Sequence, residues 1–207
     1  MSRLAQEPQL DSLETIVPRA FHPTNPYIRK VFPDTPLIRQ WWRTNFARQI
    51  SNPACKVLVV VDPSTGTTMG LLAMKQMEPD EHGSGSWTAN ALTPDHDQEA
   101  FRPMIDGMTA HRERIMFGTR HFMIELFGVE HGTKGKGIGG KLLTRACEIA
   151  DQARLPTFVQ SNMFAREFYA RFGFEEKGRE DMPGDEGYRE IMMVRGCRGG
   201  EGEGDVR

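Results

Sequence analysis

The feature that most constrains this chain is a glycine-rich turn between an apolar segment and an amphipathic one. Five glycines fall within residues 132–140, after the apolar run 121–129 and at the start of the segment 137–153. The apolar run predicts a strand, and the recurrence of apolar residues at helical spacing in the second segment predicts a helix. Glycine this dense at a strand-to-helix junction lets several backbone N–H groups share one concavity with no Cβ atoms in the way.

This turn predicts a phosphate or pyrophosphate site. The positive end of the helix dipole favours an anion there, and Lys134, Lys136 and Lys141 add positive charge. The alternative is a flexible turn that binds nothing. The spacing also matches the G-x-G-x-x-G dinucleotide fingerprint, but no acidic residue follows the next strand to bind a ribose. A P-loop is disfavoured because Leu142 occupies the position of the magnesium-binding Ser or Thr.

The composition of the 207-residue chain is that of one globular domain. Hydrophobic residues make up 38% and the formal net charge is −2, so neither nucleic acid nor an anionic membrane surface is expected as the main partner. The three cysteines have no metal-knuckle or disulfide spacing, and no metal site is predicted. No apolar run suits a secretory signal or a bilayer span. We therefore expect a cytoplasmic protein, and the oligomeric state stays open.

The rest of the chain alternates strands and helices. Residues 15–21 predict a first strand, the segment 78–97 a long acidic loop, and residues 99–117 one helix or two short ones. The other predicted elements are helices over 25–32, 36–50 and 163–172, a hairpin over 56–61 and 69–77, and strands over 157–160, 174–177 and 188–194. This order predicts an α/β sandwich around a mixed sheet.

Three segments together resemble the GNAT superfamily of acyl-CoA-dependent N-acetyltransferases. Residues 121–130 resemble the fourth strand of that family, and Lys134–Gly139 resembles its Q/R-x-x-G-x-G/A turn. Residues 162–174 resemble its N-x-x-A-x-x-x-Y-x-x-x-G-F closing helix and strand. The resemblance implies a mostly antiparallel central sheet flanked by helices, with the acetyltransferase domain over 13–195. Composition predicts a flexible N-terminus over 1–12 and a disordered tail over 196–207. Residues 20–21 and 32–34, with the tryptophans that follow, are similar to fungal members.

The resemblance also implies a binding site for acetyl-CoA, used as a co-substrate. The CoA pyrophosphate would lie on the backbone of the glycine turn, the pantetheine arm would follow the fourth strand, and Asn162 would bind the amide arm. Lys134 replaces the usual Gln or Arg, and Gly128 is consistent with a bulge in the strand. The implied cofactor-binding residues are Phe127, Gly128, Val129, Lys134, Gly135, Lys136, Gly137, Ile138, Gly139, Gly140 and Asn162.

Two residues are candidates for proton transfer. Tyr169 matches the general acid of the family, placed to protonate the CoA sulfur, and the motif position favours this role over the alternative of one more aromatic residue of the core. Glu125 is a carboxylate among apolar residues in the middle of the fourth strand, where burial would raise its pKa into the range of a general base. A salt bridge from Glu125 to Arg120 or Arg189 is the alternative, and an ordered water chain could replace a side-chain base.

The predicted activity is transfer of an acetyl group to a primary amine on a small molecule or a peptide, by direct attack in a ternary complex. If the acidic loop 78–99 borders the acceptor cleft, its charge would attract a polyamine, an aminoglycoside or a basic peptide terminus. A solvated acidic loop is the alternative. A non-catalytic acyl-CoA-binding module and, more remotely, a Rossmann oxidoreductase are the competing classes.

Overall fold

The computed structural model describes residues 2–83, 85–88, 90–133, 135–182 and 185–198. Its strands are β1 (Arg3–Leu4), β2 (Cys55–Val61), β3 (Thr68–Met77), β4 (His121–Val129), β5 (Thr157–Asn162), β6 (Glu175–Met182) and β7 (Asp185–Arg195). Its helices are α1 (Leu10–Leu13), α2 (Ile16–Phe21), α3 (Pro26–Val31), α4 (Pro36–Ser51), α5 (Gln98–Met116), α6 (Ile138–Gln152) and α7 (Arg166–Ala170). Short 3₁₀ turns occupy Glu7–Gln9, Gly85–Thr88, His131–Thr133 and Met163–Ala165.

The seven strands form one mixed sheet in the order β1-β2-β3-β4-β5-β7-β6. Neighbouring strands are antiparallel except β4 and β5, which run parallel. This confirms the predicted α/β class with a mostly antiparallel central sheet. The parallel pair is possible because α6 carries the chain back across the sheet between β4 and β5.

The apolar run of β2 is explained by burial of both sheet faces. Successive side chains of a strand point to opposite sides, so Val57 and Val59 belong to one core cluster while Leu58 and Val60 belong to another. The first cluster includes residues of α1 to α5, such as Trp42. The second lies under α6 and α7. The sheet is therefore the middle layer between two sets of helices.

The strand predicted over residues 15–21 is wrong, because this segment forms helix α2. Its buried residues are Ile16, Val17 and Ala20, spaced as on one face of a helix, and they follow the buried Leu13. The two adjacent β-branched residues suggested a strand, but burial of this helical face decides the local structure.

The N-terminal segment that composition predicts to be loose contains defined elements in the described residues. Arg3 and Leu4 pair with Val59 and Leu58 at the edge of the sheet. Leu10 is buried, at 8% exposure. Backbone pairing of β1 and one buried leucine thus join this polar segment to the fold, which composition alone does not reveal.

The predicted helix over residues 163–172 is divided into the 3₁₀ turn Met163–Ala165 and α7. The side chain of Asn162 caps the turn, since its Oδ1 accepts a hydrogen bond from the backbone N–H of Ala165 at 3.1 Å. The region predicted as one or two helices over 99–117 is the single helix α5, capped by Asp97, whose Oδ1 accepts from the N–H of Ala100 at 3.0 Å.

Candidate functional site

The parallel strands β4 and β5 pair only along their first residues. Phe122, Met123 and Ile124 face Thr157, Phe158 and Val159, and no further pair follows in the described strands. Strand β4 nevertheless continues to Val129 and β5 to Asn162. The two strands therefore diverge, which opens a cleft in the middle of the sheet where an extended ligand can lie beside the backbone of β4.

A β-bulge in β4 lies at Glu125. On the neighbouring strand Ala73 faces Leu126 and Met74 faces Ile124, so Glu125 is the extra residue. Bulges change the direction of a side chain and are common next to active sites. The bulge therefore lies at the point where β4 and β5 stop pairing.

The expectation of a bulge at Gly128 is wrong. Gly128 faces Leu71 within a continuous register. A Cβ at this position would lie 2.9 Å from Cε2 of Phe21 and 3.0 Å from Cβ of Ala20. Glycine is required here because helix α2 packs closely against the strand.

The side chain of Glu125 is buried, at 5% exposure. Its Oε1 accepts a hydrogen bond from the backbone N–H of Ser86 at 2.5 Å, whereas Oε2 has no partner among the described residues. Burial raises the pKa of this carboxyl to about 7, and the bonds from Ser86 and the charge of Lys75 oppose that rise only partly. Glu125 is thus a carboxyl that exchanges its proton near neutral pH.

The alternative of a salt bridge at Glu125 is wrong. Arg120 pairs with Glu78 at 2.9 Å, and Arg189 pairs with Asp181 at 2.7 Å. Both arginines are therefore engaged at other sites, and neither neutralises the buried carboxyl.

Glu125 lies in the wall of a cavity of about 120 Å³ on the open side of the cleft. A second carboxylate, that of Glu190 on β7, lines the same cavity. Its Oε2 accepts a hydrogen bond from Nε2 of Gln160, and burial raises the pKa of Glu190 to about 7. Sequence reasoning missed Glu190. In the sequence, Glu190 is recognisable only as a carboxylate just before the apolar run 191–194, and the sheet order is needed to show that β7 lies beside β5.

Tyr169 also lines this cavity, and its side chain is almost completely buried, at 3% exposure. Burial raises the pKa of the phenol well above its usual value, and a hydrogen bond with the side chain of Ser161 opposes this only in part. Its ring meets that of Phe127 edge-to-face, with centroids 6.1 Å apart. The residue is thus a core aromatic and a neutral proton donor in the cavity wall at the same time.

The glycine turn lines a second, larger cavity of about 660 Å³. Gly137 is the N-cap of α6 with a φ of 73°, and Gly135 has a φ of 84°, conformations that favour glycine. No atom lies within 4 Å of the Cβ position at either residue. The N-terminus of a 15-residue helix therefore opens into free space, as an anion site requires.

The structure brings most of the predicted cofactor residues to this cavity. Its wall includes Phe127, Val129, Gly135, Gly137, Ile138, Gly139 and Gly140. Gly128 lies between two of these on β4, and the exposed Lys136 lies in the turn itself. Lys134 falls outside the described residues. Asn162 lines the smaller cavity instead, with its Oδ1 in the cap described above.

Four residues of the larger cavity were missed by sequence reasoning: Thr133, Phe164, Phe168 and Arg171. Phe164 is 83% exposed, an unusual position for a large aromatic ring. The guanidinium of Arg171 lies 5.7 Å from the ring centroid of Phe168. An aromatic surface and a cation thus face the glycine turn. Their place in the cavity wall follows from the packing of α7 beside α6, which the sequence does not show.

The two cavities meet at Phe127, which lines both. The consecutive residues Phe168 and Tyr169 of α7 likewise divide between them, one in each wall. The two cavities are therefore adjacent along β4, with the glycine turn of α6 in one and Glu125 and Glu190 in the other.

Comparison with known proteins agrees with this geometry. Residues 98–193 match the family model described as an acetyltransferase (GNAT) domain. The chain contains a domain of the GNAT superfamily. The resemblance found in the sequence is thereby confirmed, while the similarity to fungal members stays a prediction. Among curated proteins, no match was found.

Solved structures show that the GNAT fold extends over nearly the whole chain. Arylalkylamine N-acetyltransferase 2 from Aedes aegypti has a TM-score of 0.66 at 13% identity, with 96% of this chain and 99% of that chain covered. A Corynebacterium glutamicum protein described as a histone acetyltransferase and related acetyltransferase has a TM-score of 0.63 at 17% identity, with 98% of each chain covered. The ribosomal-protein-S18-alanine N-acetyltransferase from Escherichia coli has a TM-score of 0.57 at 12% identity, covering 98% and 97%.

The acidic loop contributes little charge to the cleft. Of residues 78–99 only Trp87 lines the smaller cavity among the described positions. Asp95 accepts a hydrogen bond from Oγ1 of Thr35 at 2.5 Å, and Asp97 caps α5 and pairs with Lys30. These carboxylates fasten the loop to neighbouring helices. In the described parts of the chain, no helix has the length and apolar character needed to cross a membrane.

Proposed function

We propose that this GNAT protein is an N-acetyltransferase that transfers an acetyl group from acetyl-CoA to a primary amine, on a small molecule or a peptide, by direct attack in a ternary complex. The observation that carries the proposal is the meeting of two chemically different cavities at Phe127. One is suited to a phosphate ligand and the other presents two carboxylates and a phenol. A transferase of this kind needs its donor and acceptor side by side.

The donor half of the proposal rests on the glycine turn and the open edge of β4. The pyrophosphate would bind the backbone N–H groups of residues 135–140, at the positive end of α6, with Lys134 and Lys136 adding charge. The pantetheine arm would lie beside β4 beyond Ile124, where pairing with β5 ends. Phe127 and Val129 would flank it, with Asn162 on the opposite strand.

The acceptor half assigns proton transfer to Glu125 and Tyr169. Glu125 would take a proton from the ammonium, since its pKa of about 7 lets it act as a base at neutral pH. The amine nitrogen then bonds to the thioester carbonyl carbon, and a backbone N–H near Val129 would stabilise the oxyanion. As the carbon–sulfur bond breaks, Tyr169 would give its proton to the sulfur. As the amide forms, the nitrogen would lose its second proton, which would restore the phenol of Tyr169 through solvent, and the proton held by Glu125 would leave to solvent.

We propose that the catalytic domain spans residues 13–195, with residues 196–207 outside it and with 1–12 as an extension whose strand β1 and buried Leu10 pack against it. Limited proteolysis followed by mass determination of the resistant core would test these bounds.

A cytoplasmic location stays a prediction, to be checked by fractionation of cells that produce the chain.

Calorimetry and a thiol-release assay test the proposed function. Titrations with acetyl-CoA, CoA and NAD should show binding of the first two only. Release of free thiol from acetyl-CoA should then depend on an added amine. Absence of CoA binding would refute the proposal. Tight CoA binding with no thiol release across a broad amine panel would favour the alternative, a non-catalytic acyl-CoA-binding module.

A further inference from the structure

The acceptor-side cavity combines negative charge with an apolar wall. Glu125 and Glu190 are its charged residues, and no Lys or Arg belongs to the described part of its lining. Lys75 is the cation whose charge opposes the rise in the pKa of Glu125, and it is itself paired with Glu81. A ligand that enters this cavity therefore meets two carboxyl groups with pKa values of about 7 and no cation between them. An ammonium stabilises their charged form and is attracted by it, whereas an anion is disfavoured.

The rest of the wall is polar at Asn25, Gln160, Ser161 and Asn162 and apolar on the sides formed by the helices. Phe21, Ile28 and Leu126 come from α2, α3 and β4, and Trp87 from the 3₁₀ turn of the acidic loop. Met104 and Met108 lie one turn apart on α5 and add flexible, polarizable surface. Burial of a ligand against these side chains lowers the free energy of binding only where the ligand surface that leaves water is itself apolar.

The cavity is also small. Its volume of about 120 Å³ compares with about 660 Å³ for the coenzyme cavity. Pockets that enclose drug-sized ligands measure about 300–1,000 Å³. An aminoglycoside or a folded peptide segment is too large for this space without a rearrangement of α5 or the loop.

We propose, resting on the acetyltransferase function above, that the acceptor is a compact primary monoamine with an aromatic or branched apolar body, whose ammonium enters between Glu125 and Glu190. Glu190 is the counter-ion that orients the amine, held in place by its hydrogen bond from Gln160. Glu125 is then free to take the proton. An amino acid is disfavoured because its carboxylate faces two others, and a diamine because its second ammonium lies against the apolar wall.

Matched amines test the class of acceptor. 2-Phenylethylamine and L-phenylalanine differ only by a carboxylate, and 3-methylbutylamine and 1,4-diaminobutane are of similar length but differ in their second charge. We expect kcat/KM to be at least about tenfold higher for the apolar monoamine of each pair, a difference of about 1.4 kcal/mol in transition-state stabilisation. Equal or reversed ratios in either pair would overturn the inference.

A Glu190→Gln variant tests the assigned role, with Glu180→Gln as the matched control on the neighbouring strand. Glu180 pairs at the surface with Arg114 and lines no part of the cavity. In Glu190→Gln we expect KM for 2-phenylethylamine to rise about tenfold, with affinity for acetyl-CoA unchanged and discrimination against L-phenylalanine reduced. The control should change none of these.

The failures of the two proposals are distinguishable. Loss of acetyl-CoA binding in the native protein contradicts the acetyltransferase function itself. Normal acetyl-CoA binding with turnover of peptides, diamines or amino acids in preference to apolar monoamines contradicts only the acceptor class. An unchanged KM in Glu190→Gln, or a change equal to that of the Glu180→Gln control, contradicts the counter-ion role of Glu190.

Discussion

Replacing Glu125 with glutamine should remove most of the activity. It should also change stability: the free energy of unfolding of the variant, relative to that of the native protein, should be more favourable at alkaline pH than at acidic pH. The native carboxyl is 5% exposed, and its pKa is raised from 4.5 to about 7 by burial. Ionisation of this group is therefore easier in the unfolded chain than in the folded protein. A neutral amide of similar size has no such difference between the two states.

The sign and size of the effect follow from proton linkage. Because the folded pKa lies above the unfolded one, the folded state binds more protons between pH 4.5 and about 7. The contribution of this group to stability is complete below that window and is lost as the pH rises through it. The whole shift corresponds to about 3 kcal/mol, most of which falls between about pH 5 and about pH 8.

Urea unfolding of the native protein and the variant at these two pH values measures the effect. We expect the difference in unfolding free energy, variant minus native, to become more favourable to the variant by about 2–3 kcal/mol at the higher pH, or about 5–10 °C in Tm. Comparing the two pH values cancels the constant cost of burying the amide in the variant. Part of that cost arises because the amide atom that replaces Oε2 of Glu125 has no hydrogen-bond partner among the described residues. The exposed carboxylate of Glu180 is the control, and Glu180→Gln should show no such pH dependence.

Activity provides the second half of the test. In the native protein kcat/KM should rise with pH through about 7, as the base loses its proton, and the variant should lose about 10²–10⁴-fold in kcat and this pH dependence. A variant with no relative gain in stability between the two pH values would refute the assignment of a buried, proton-exchanging carboxyl. A variant that keeps its activity would refute the role of base.

Gly140→Leu should lower affinity for CoA at least about tenfold without unfolding the protein, because Gly140 lines the larger cavity and no atom lies within 4 Å of its Cβ position. Calorimetry tests this, with Gly107→Leu on α5 as the control. Tyr169→Phe should lower kcat about a hundredfold while CoA affinity stays constant, and an equal loss in both would indicate a packing role. Arg195→Met should cost about 2 kcal/mol in urea unfolding near neutral pH, because Asp151 loses the hydrogen bonds of 2.8 and 2.7 Å from Arg195 and keeps the one from the backbone N–H of Arg198. The pKa of Asp151 is lowered mainly by this pairing, so the loss should shrink as the pH falls through the acidic range, and a pH-independent loss would contradict it.

Elements with strong local signals were predictable. The bounds of β4 agree with the prediction at both ends, because its apolar residues are buried on both faces and the glycine turn ends it. The α6 helix also agrees to within one residue at each end, since Leu142, Leu143 and Ala146 give it one apolar face. In these segments the local preference and the tertiary environment favour the same structure.

Elements whose structure depends on distant contacts were not predictable. The six residues of α2 are too few to show a period, and their helical form follows from packing against β3 and β4. Gly128 illustrates the same limit. Its glycine could be read as a bulge or as a close approach, and only the position of Phe21 decides between them.

By itself the sequence determined the glycine turn at a helix N-terminus, the order of the main elements and the candidates Glu125 and Tyr169. These follow from backbone conformation and spacing, which are local properties of the chain. The tertiary structure alone decided that β4 and β5 diverge after Ile124, that the bulge falls on Glu125 and that Glu190 faces the same cavity. The physical reason is that burial raises the pKa of a carboxyl only when residues far apart in sequence enclose it.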